Sequence, residues 1–258
     1  MSELAAFIHR YVSVWNETDP DARKRTIVAL WAPDGTTCNR QLEACGYEAI
    51  EARVASANQK WVRDQGFTFR PRQSFALHHH VVKLGWEMVP ASGGEVAASG
   101  LIVLILSSEG RIRADYQFSD PSPPASRELT AFVDRYVAFW NEPDANRRRQ
   151  ELAELWAEDA TFLSATSEQH GWVGIEAEAL ETYAACGGKG FVIRSTNAAE
   201  GHHHVIRMGW EIHPRAGGEV AGEGLALVVL EGDGRIRADY QFTPFRAEGG
   251  GPWTGRPP

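Results

Sequence analysis

Apolar positions along the chain change period from helical to alternating, and then the whole progression runs a second time. Phe7, Tyr11 and Val14/Trp15 recur at the spacing of one helix face, as do Phe132, Tyr136 and Phe139/Trp140. Asp19 followed by Pro20 reads as an N-cap with proline in the first turn. It opens a second helix expected to bury Ile27, Leu30 and Trp31, matched by Leu152, Leu155 and Trp156. A third, short helix is expected over Glu48–Ala57 and Ile175–Ala185. Val82, Leu84, Trp86 and Met88 then alternate with Val81, Lys83, Gly85 and Glu87, which is the pattern of a half-buried strand. Glycine turns at 92–94 and 216–218 lead to apolar strands over 101–106 and 225–230. Glu109-Gly110 and Asp233-Gly234 turn into a last strand.

The repetition is visible residue by residue. Ala6–Asp19 returns as Ala131–Asp144 with nine of fourteen positions identical, an offset of 125. His78–Met88 returns as His202–Ile212, and Gly110–Phe118 returns unchanged as Gly234–Phe242, both at an offset of 124. Blocks in one order at one spacing imply duplication of a complete folding unit. Each copy is long enough to hold its own core, and two are too few for a solenoid. The reading is a domain over 1–118, a proline-bearing linker over 119–126, a second domain over 127–245 and a Gly/Pro-rich, loose tail over 246–258.

Helices first and an antiparallel meander after them give an α+β unit with helices on one face of a curved sheet, enclosing a pocket. A net charge of -8 argues against a nucleic-acid partner, whose affinity would come from Lys and Arg on phosphates. Three cysteines without C-x-x-C spacing suggest neither a disulfide framework nor a zinc knuckle. No long apolar run or basic leader is present, so a cytoplasmic protein with no membrane partner is expected.

The first-helix run R-Y-V-x-x-W-N-x-x-D, the L-W-A-x-D after the second helix and G-R-I before the last strand resemble the NTF2-like superfamily, in its SnoaL-like and ketosteroid isomerase branches. The resemblance covers nearly all of both copies. It implies two cone-shaped NTF2-like domains, arranged as an intramolecular pseudo-dimer with room for further homo-oligomerisation. It also implies a cavity for a small apolar or aromatic molecule. Ketosteroid isomerase chemistry needs an Asp base and an oxyanion hole of a Tyr and a protonated Asp. Tyr11 and Tyr136 match the tyrosine, but the base position falls on Asn39 and Ser164 and the second acid on Ile102 and Ala226.

Candidate chemistry therefore rests on other residues. Read as strand, the His-His-His runs place His78 and His80, and likewise His202 and His204, on the face of Trp86 and Trp210. Three readings stand: acid/base groups in the pocket, structural residues at its mouth or a domain interface, or an H-x-H metal site for which no third ligand is evident. The sharpest catalytic expectation pairs His80 with Asp115 and His204 with Asp239, the carboxylate orienting the imidazole. The resemblance turns Asp115 and Gln117 toward the cavity, with Tyr116 and Phe118 on the opposite face. Expected ligand contacts are Tyr11, Trp15, Asn39, His78, Trp86 and Gln117 in one copy, and Tyr136, Trp140, Ser164, His202, Trp210 and Gln241 in the other. The loops between Trp31 and Gly46 and between Trp156 and Gly171 differ, so one copy is a candidate active unit and the other structural. No P-loop, nucleophile elbow, H-E-x-x-H or dinucleotide fingerprint occurs, so no cofactor and no metal is assigned. The expected function is a cofactor-independent enzyme of cyclase, isomerase or dehydratase type, with a non-catalytic ligand-binding or scaffolding module as the alternative.

Overall fold

The computed structural model describes residues 3–243, the side chains of Gln73 and Asn197 apart; the tail expected over 246–258 lies outside these residues. The chain divides between Pro121 and Ser122 into two compact units. In the first, helices α1 (Glu3–Asn16) and α2 (Pro20–Leu30) precede a hairpin of β1 (Trp31–Asn39) and β2 (Leu42–Cys45). Helix α3 (Gly46–Ala57) runs into a π-helical turn (Asn58–Arg63), and β3 (Phe67–His78), β4 (Val81–Pro90), β5 (Ala98–Leu106) and β6 (Ile112–Asp120) complete the unit. The second unit repeats this with α4 (Arg127–Asn141), α5 (Ala145–Leu155), β7 (Trp156–Leu163), β8 (Glu168–His170) and α6 (Gly171–Ala185). A short 3-10 turn leads into β9 (Phe191–His202), β10 (Val205–Pro214), β11 (Gly222–Leu230) and β12 (Ile236–Phe242).

Each unit builds one six-stranded sheet, ordered β2-β1-β6-β5-β4-β3 and β8-β7-β12-β11-β10-β9. Pairing is antiparallel except between β1 and β6 and between β7 and β12, which run parallel. Register places Val82, Leu104 and Asp115 in one row across three strands, and Leu84, Ile102 and Gln117 in the next. That face meets the helices: Ile8, Tyr11, Trp15, Ile27 and Leu30 pack with Val82, Leu84, Ile102 and Leu104 in a single core. Tyr136, Phe139, Trp140, Leu152 and Leu155 do the same in the second unit.

Local chemistry starts the helices where expected. Asp19 Oδ1 accepts from the Asp21 amide, with Pro20 in the first turn, and Asp144 Oδ1 accepts from the amides of Asn146 and Arg147. Two expectations change. Trp31 and Trp156 do not end the second helices but open β1 and β7, fully buried, because each already adopts the extended conformation at the helix C-cap. The strand β3 and its counterpart β9, which start well before the histidines, were not legible as strands.

The shift of offset from 125 to 124 also has a structural counterpart. It falls between α3 and Gly66 in the first unit, where the chain forms a π-helical turn at Asn58–Arg63. A π-helix takes up one extra residue without disturbing the strands beyond it. The second unit, one residue shorter here, uses a 3-10 turn at Gly187–Lys189, and both segments end on a left-handed glycine, Gly66 and Gly190.

Trp86 and Trp210 lie over cross-strand glycines. A Cβ on Gly100 would stand 2.0 Å from the Phe118 carbonyl oxygen and 2.7 Å from Trp86 Nε1, and one on Gly224 would stand 2.2 Å from Trp210 Cζ2. Neither the paired backbone nor a packed indole gives way easily. Gly100→Ala and Gly224→Ala are each expected to destabilise the protein by about 1–3 kcal/mol, the usual cost of overpacking, seen as a lowered denaturant midpoint.

Candidate functional site

At the centre of the second unit, α4 and β12 bring together residues 103 apart: Tyr136 Oη donates to Asp239 Oδ2 at 2.6 Å. Gln241 Nε2 donates to Asp239 Oδ1 at 2.6 Å and to Tyr136 Oη at 2.7 Å, and Trp210 Nε1 donates to Gln241 Oε1 at 2.8 Å. Tyr136 is delivered by the buried stripe of α4, and Asp239 and Gln241 by alternation along β12. Asp239 sits between Phe162 of β7 and Val228 of β11, with no exposure to solvent. Burial pushes its carboxyl up to about 7, against the opposing pull of the hydrogen bonds from Tyr136 and Gln241. Burial and the nearby carboxylate raise the Tyr136 phenol well above its ordinary range.

The first unit has the same pair with different company. Asp115 Oδ2 accepts from Tyr11 Oη at 2.9 Å, Thr37 Oγ1 at 2.9 Å and Gln117 Nε2 at 3.0 Å. Burial raises this carboxyl to about 6, with those three donors and the Arg53 charge opposing. The equivalents of Thr37 and Arg53 at the 125-residue offset are Phe162 and Glu178. Losing a donor and a cation accounts for the higher value at Asp239. The Arg53 guanidinium carbon lies 5.2 Å from the centroid of the Trp15 ring.

A cavity of about 780 Å³ opens in the second unit against this network. Tyr136, Trp140, Phe162, Trp210 and Gln241 form the aromatic wall, and Ile193 and Ile212 extend it. Ser164–Ser167 of the β7–β8 connection and Glu178, Glu181 and Thr182 of α6 close another side, with Ala184, Ala185, Cys186 and Lys189 beyond them. Ser167 Oγ donates to Glu178 Oε2 at 2.6 Å, and Gln169 Nε2 donates to Ser167 Oγ at 3.2 Å. After α3 the first unit carries Lys60 and Trp61 in the corresponding segment, the ammonium 4.3 Å from the ring centroid. At the end of α6 and just beyond it, the cavity is lined by the small residues Ala184, Ala185 and Cys186.

The histidines belong elsewhere. His78 pairs directly with Val81, and His202 with Val205, so the second and third histidines of each run form the two-residue turn of a hairpin rather than a continuing strand. Directly paired residues share a sheet face, which puts His78 opposite the face of Val82 and Trp86, and His202 opposite that of Ile206 and Trp210. His79 and His203 take positive φ, 49° and 52°, a conformation that histidine tolerates better than most residues. His80 is exposed and His204 half-buried. The backbone carbonyls of His80 and His204 accept from the amides of Leu106 and Leu230 at 2.8 and 2.7 Å, extending the β4–β5 and β10–β11 ladders. His80 and Asp115 stand two strands and two register positions apart, roughly 12 Å between Cα atoms at sheet spacings. The expected His80–Asp115 and His204–Asp239 pairs are thus replaced by Tyr11–Asp115 and Tyr136–Asp239. A turn lacking Asn or Gly gave no sign of itself in the alternation.

Other expected contacts divide. Tyr136, Trp140, Ser164, Trp210 and Gln241 line the cavity. In the first unit Tyr11 and Gln117 meet at Asp115, and the Trp86 indole donates to the Phe118 carbonyl at 3.3 Å. Asn39 Oδ1 caps the β1–β2 turn, accepting from the amides of Gln41 and Leu42. Ile102 and Ala226, where the resemblance sought the second acid, pair with Gln117 and Gln241 of the last strands. Thr37, Arg53, Phe162, Ser167 and Glu178 escaped the sequence reading, although aligning the copies at offset 125 marks Arg53/Glu178 as a reversal of charge. Among the described residues, no three His, Cys, Asp or Glu side chains converge as metal ligands.

The family model of the SnoaL-like domain matches residues 133–238, which include Tyr136 and Trp210 of this network and end one residue before Asp239. The second unit carries a SnoaL-like domain. The first unit repeats the order of helices and strands of the SnoaL-like unit, so the chain is two NTF2-like α+β halves. Similar solved structures include a SnoaL-like family protein from Agrobacterium tumefaciens, 25% identical, over 46% of this chain and 99% of its own, TM-score 0.43. An NTF2-like protein from Exiguobacterium is 18% identical over 45% and 99%, TM-score 0.36. A SnoaL-like protein from Burkholderia thailandensis is 14% identical over 46% and 98%, TM-score 0.35. No curated protein matches the chain. Among the described residues no helix is long and apolar enough to cross a membrane.

The raised carboxyls make stability depend on pH. A carboxyl whose folded value lies above the unfolded one favours the fold in its neutral form. That contribution is whole below about pH 4 and is lost as pH rises through the folded value, about 6 for Asp115 and about 7 for Asp239. The share of the unfolding free energy carried by these two carboxyls is expected to decline between about pH 4 and about pH 7. Asp239→Asn should flatten that decline more than Asp115→Asn, measured by denaturant titrations across the range.

Proposed function

We propose that the SnoaL-like domain is a small-molecule enzyme whose Tyr136–Asp239 pair supplies the acid half of a proton-transfer reaction on an apolar or aromatic carbonyl compound. The observation that carries this reading is a buried carboxyl at about 7 hydrogen-bonded to a tyrosine in the wall of a 780 Å³ cavity. With Asp239 ionised, the Tyr136 proton is committed to the carboxylate. With Asp239 neutral, its hydroxyl donates to Tyr136 Oη, and the phenol proton turns into the cavity toward a ligand oxygen. Gln241 still donates to Tyr136 Oη, so the phenol oxygen has two donors behind it and one acceptor ahead. As charge develops on the ligand oxygen, one proton moves from Tyr136 to it and another from Asp239 to Tyr136. Such preorganised donors in a desolvated wall act most strongly on developing negative charge. A proton store near ambient pH suits isomerisation, cyclisation or dehydration, which all pass through an oxygen that gains negative charge or leaves.

The test is exchange of the α-protons of aryl ketones such as phenylacetone into deuterated buffer, followed by NMR, with the buffer base removing the carbon-bound proton. Wild-type protein is expected to accelerate exchange, and Tyr136→Phe to reduce that acceleration by about 10²-fold. The wild-type rate, at a fixed concentration of buffer base, should fall as pH rises through about 7, and Asp239→Asn should flatten that profile. Tyr11→Phe, in the first unit, should leave it unchanged. Full acceleration by Tyr136→Phe would contradict the reading, and ketone binding without any exchange would favour the non-catalytic alternative.

A further inference from the structure

The first unit displays what its sister cavity lacks. In it a cation already sits on the central tryptophan: the Arg53 guanidinium lies over the Trp15 ring and is attracted by Asp115. The SnoaL-like domain keeps the tryptophan, as Trp140, and the carboxyl, as Asp239, but the helix position that supplied the cation carries Glu178. The second unit thus carries an anion where the first carries its internal cation, and that anion lines one cavity with Trp140, a ring whose face attracts positive charge.

The replacement is a built feature of the wall. Ser167 Oγ holds Glu178 Oε2 at 2.6 Å, which fixes the carboxylate against the cavity rather than leaving it to solvent. Glu181, one turn along α6, and the cationic Lys189 are both exposed, which leaves Glu178 as the half-buried charge of the described lining. Glu178 is thus the anion that a ligand in this cavity meets.

We infer that the cavity of the SnoaL-like domain takes a ligand bearing a cationic group, an arylalkylamine in the simplest case, with its ammonium seated on the Trp140 ring and paired with Glu178. This rests on the reading of that cavity as the ligand site and adds the charge of the molecule to it. Tyr136 faces the ligand's oxygen, and Glu178 reads its nitrogen. The arrangement selects against carboxylate-bearing ligands, which the Arg53 arrangement would favour.

The experiment compares three probes of one carbon skeleton by calorimetry on the full chain at pH 7: 3-phenylpropylamine, 3-phenylpropanol and 3-phenylpropionate. Wild-type protein is expected to bind the ammonium probe at least about tenfold more tightly than the carboxylate, with the alcohol between them. Glu178→Gln should erase the preference while leaving the alcohol's affinity unchanged, and Glu178→Arg should reverse the order. Thermal midpoints check that both variants fold, and Glu178→Gln alone decides the matter if the arginine variant does not. Should the alcohol bind but the ranking ignore charge, or persist in Glu178→Gln, this inference falls while the cavity reading stands. Should none of the three bind, both fall.

Discussion

A tyrosine hydroxyl reaching from the first helix to a buried aspartate on the last strand is the constraint around which each unit is organised. A carboxyl out of reach of water costs several kcal/mol unless donors meet it, so the helix must sit on the sheet where Tyr11 finds Asp115 and Tyr136 finds Asp239. Glutamine two residues further along the strand supplies the second donor in both units. The same burial that makes the interaction obligatory lifts the carboxyl toward neutrality, so the device that sets helix against sheet is also a reservoir for one proton.

Duplication allowed the surroundings of this pair to part company. In the first unit Thr37 adds a donor, Arg53 adds a charge and lies over Trp15, and Lys60 and Trp61 come after α3 in a π-helical turn. In the second, Phe162 and Glu178 stand in the places of Thr37 and Arg53, and small residues continue from α6 along the wall of an open cavity. The scaffold keeps its pairing through these changes, since Thr37 and Phe162 hold the same register against Asp115 and Asp239. A one-residue difference between the copies is confined to a single turn, and the strands beyond it resume their register.

The features legible in the sequence obey local rules. Helix N-caps at Asp19 and Asp144, the inward stripe of Tyr11 and Trp15, and alternation placing Asp115 beside Gln117 each depend on neighbours a few residues away. The misreadings share an opposite cause. Trp31 continued a helical spacing but began a strand, because the chain turns where pairing with β6 becomes available. The three histidines continued an alternating run but formed a turn, because β3 and β4 close on each other at His78 and Val81.

The order of residues alone therefore established two copies of one α+β unit, their helix and strand faces, and the type of polar group each face carries. Those properties are written in periods of two and three to four, which any stretch of ten residues reveals. Which polar groups meet was decided only by the tertiary structure. Tyr136 and Asp239 are 103 positions apart, and no periodicity relates them; packing of α4 across β12 brings them within hydrogen-bonding distance, while closure of one hairpin keeps the histidines away.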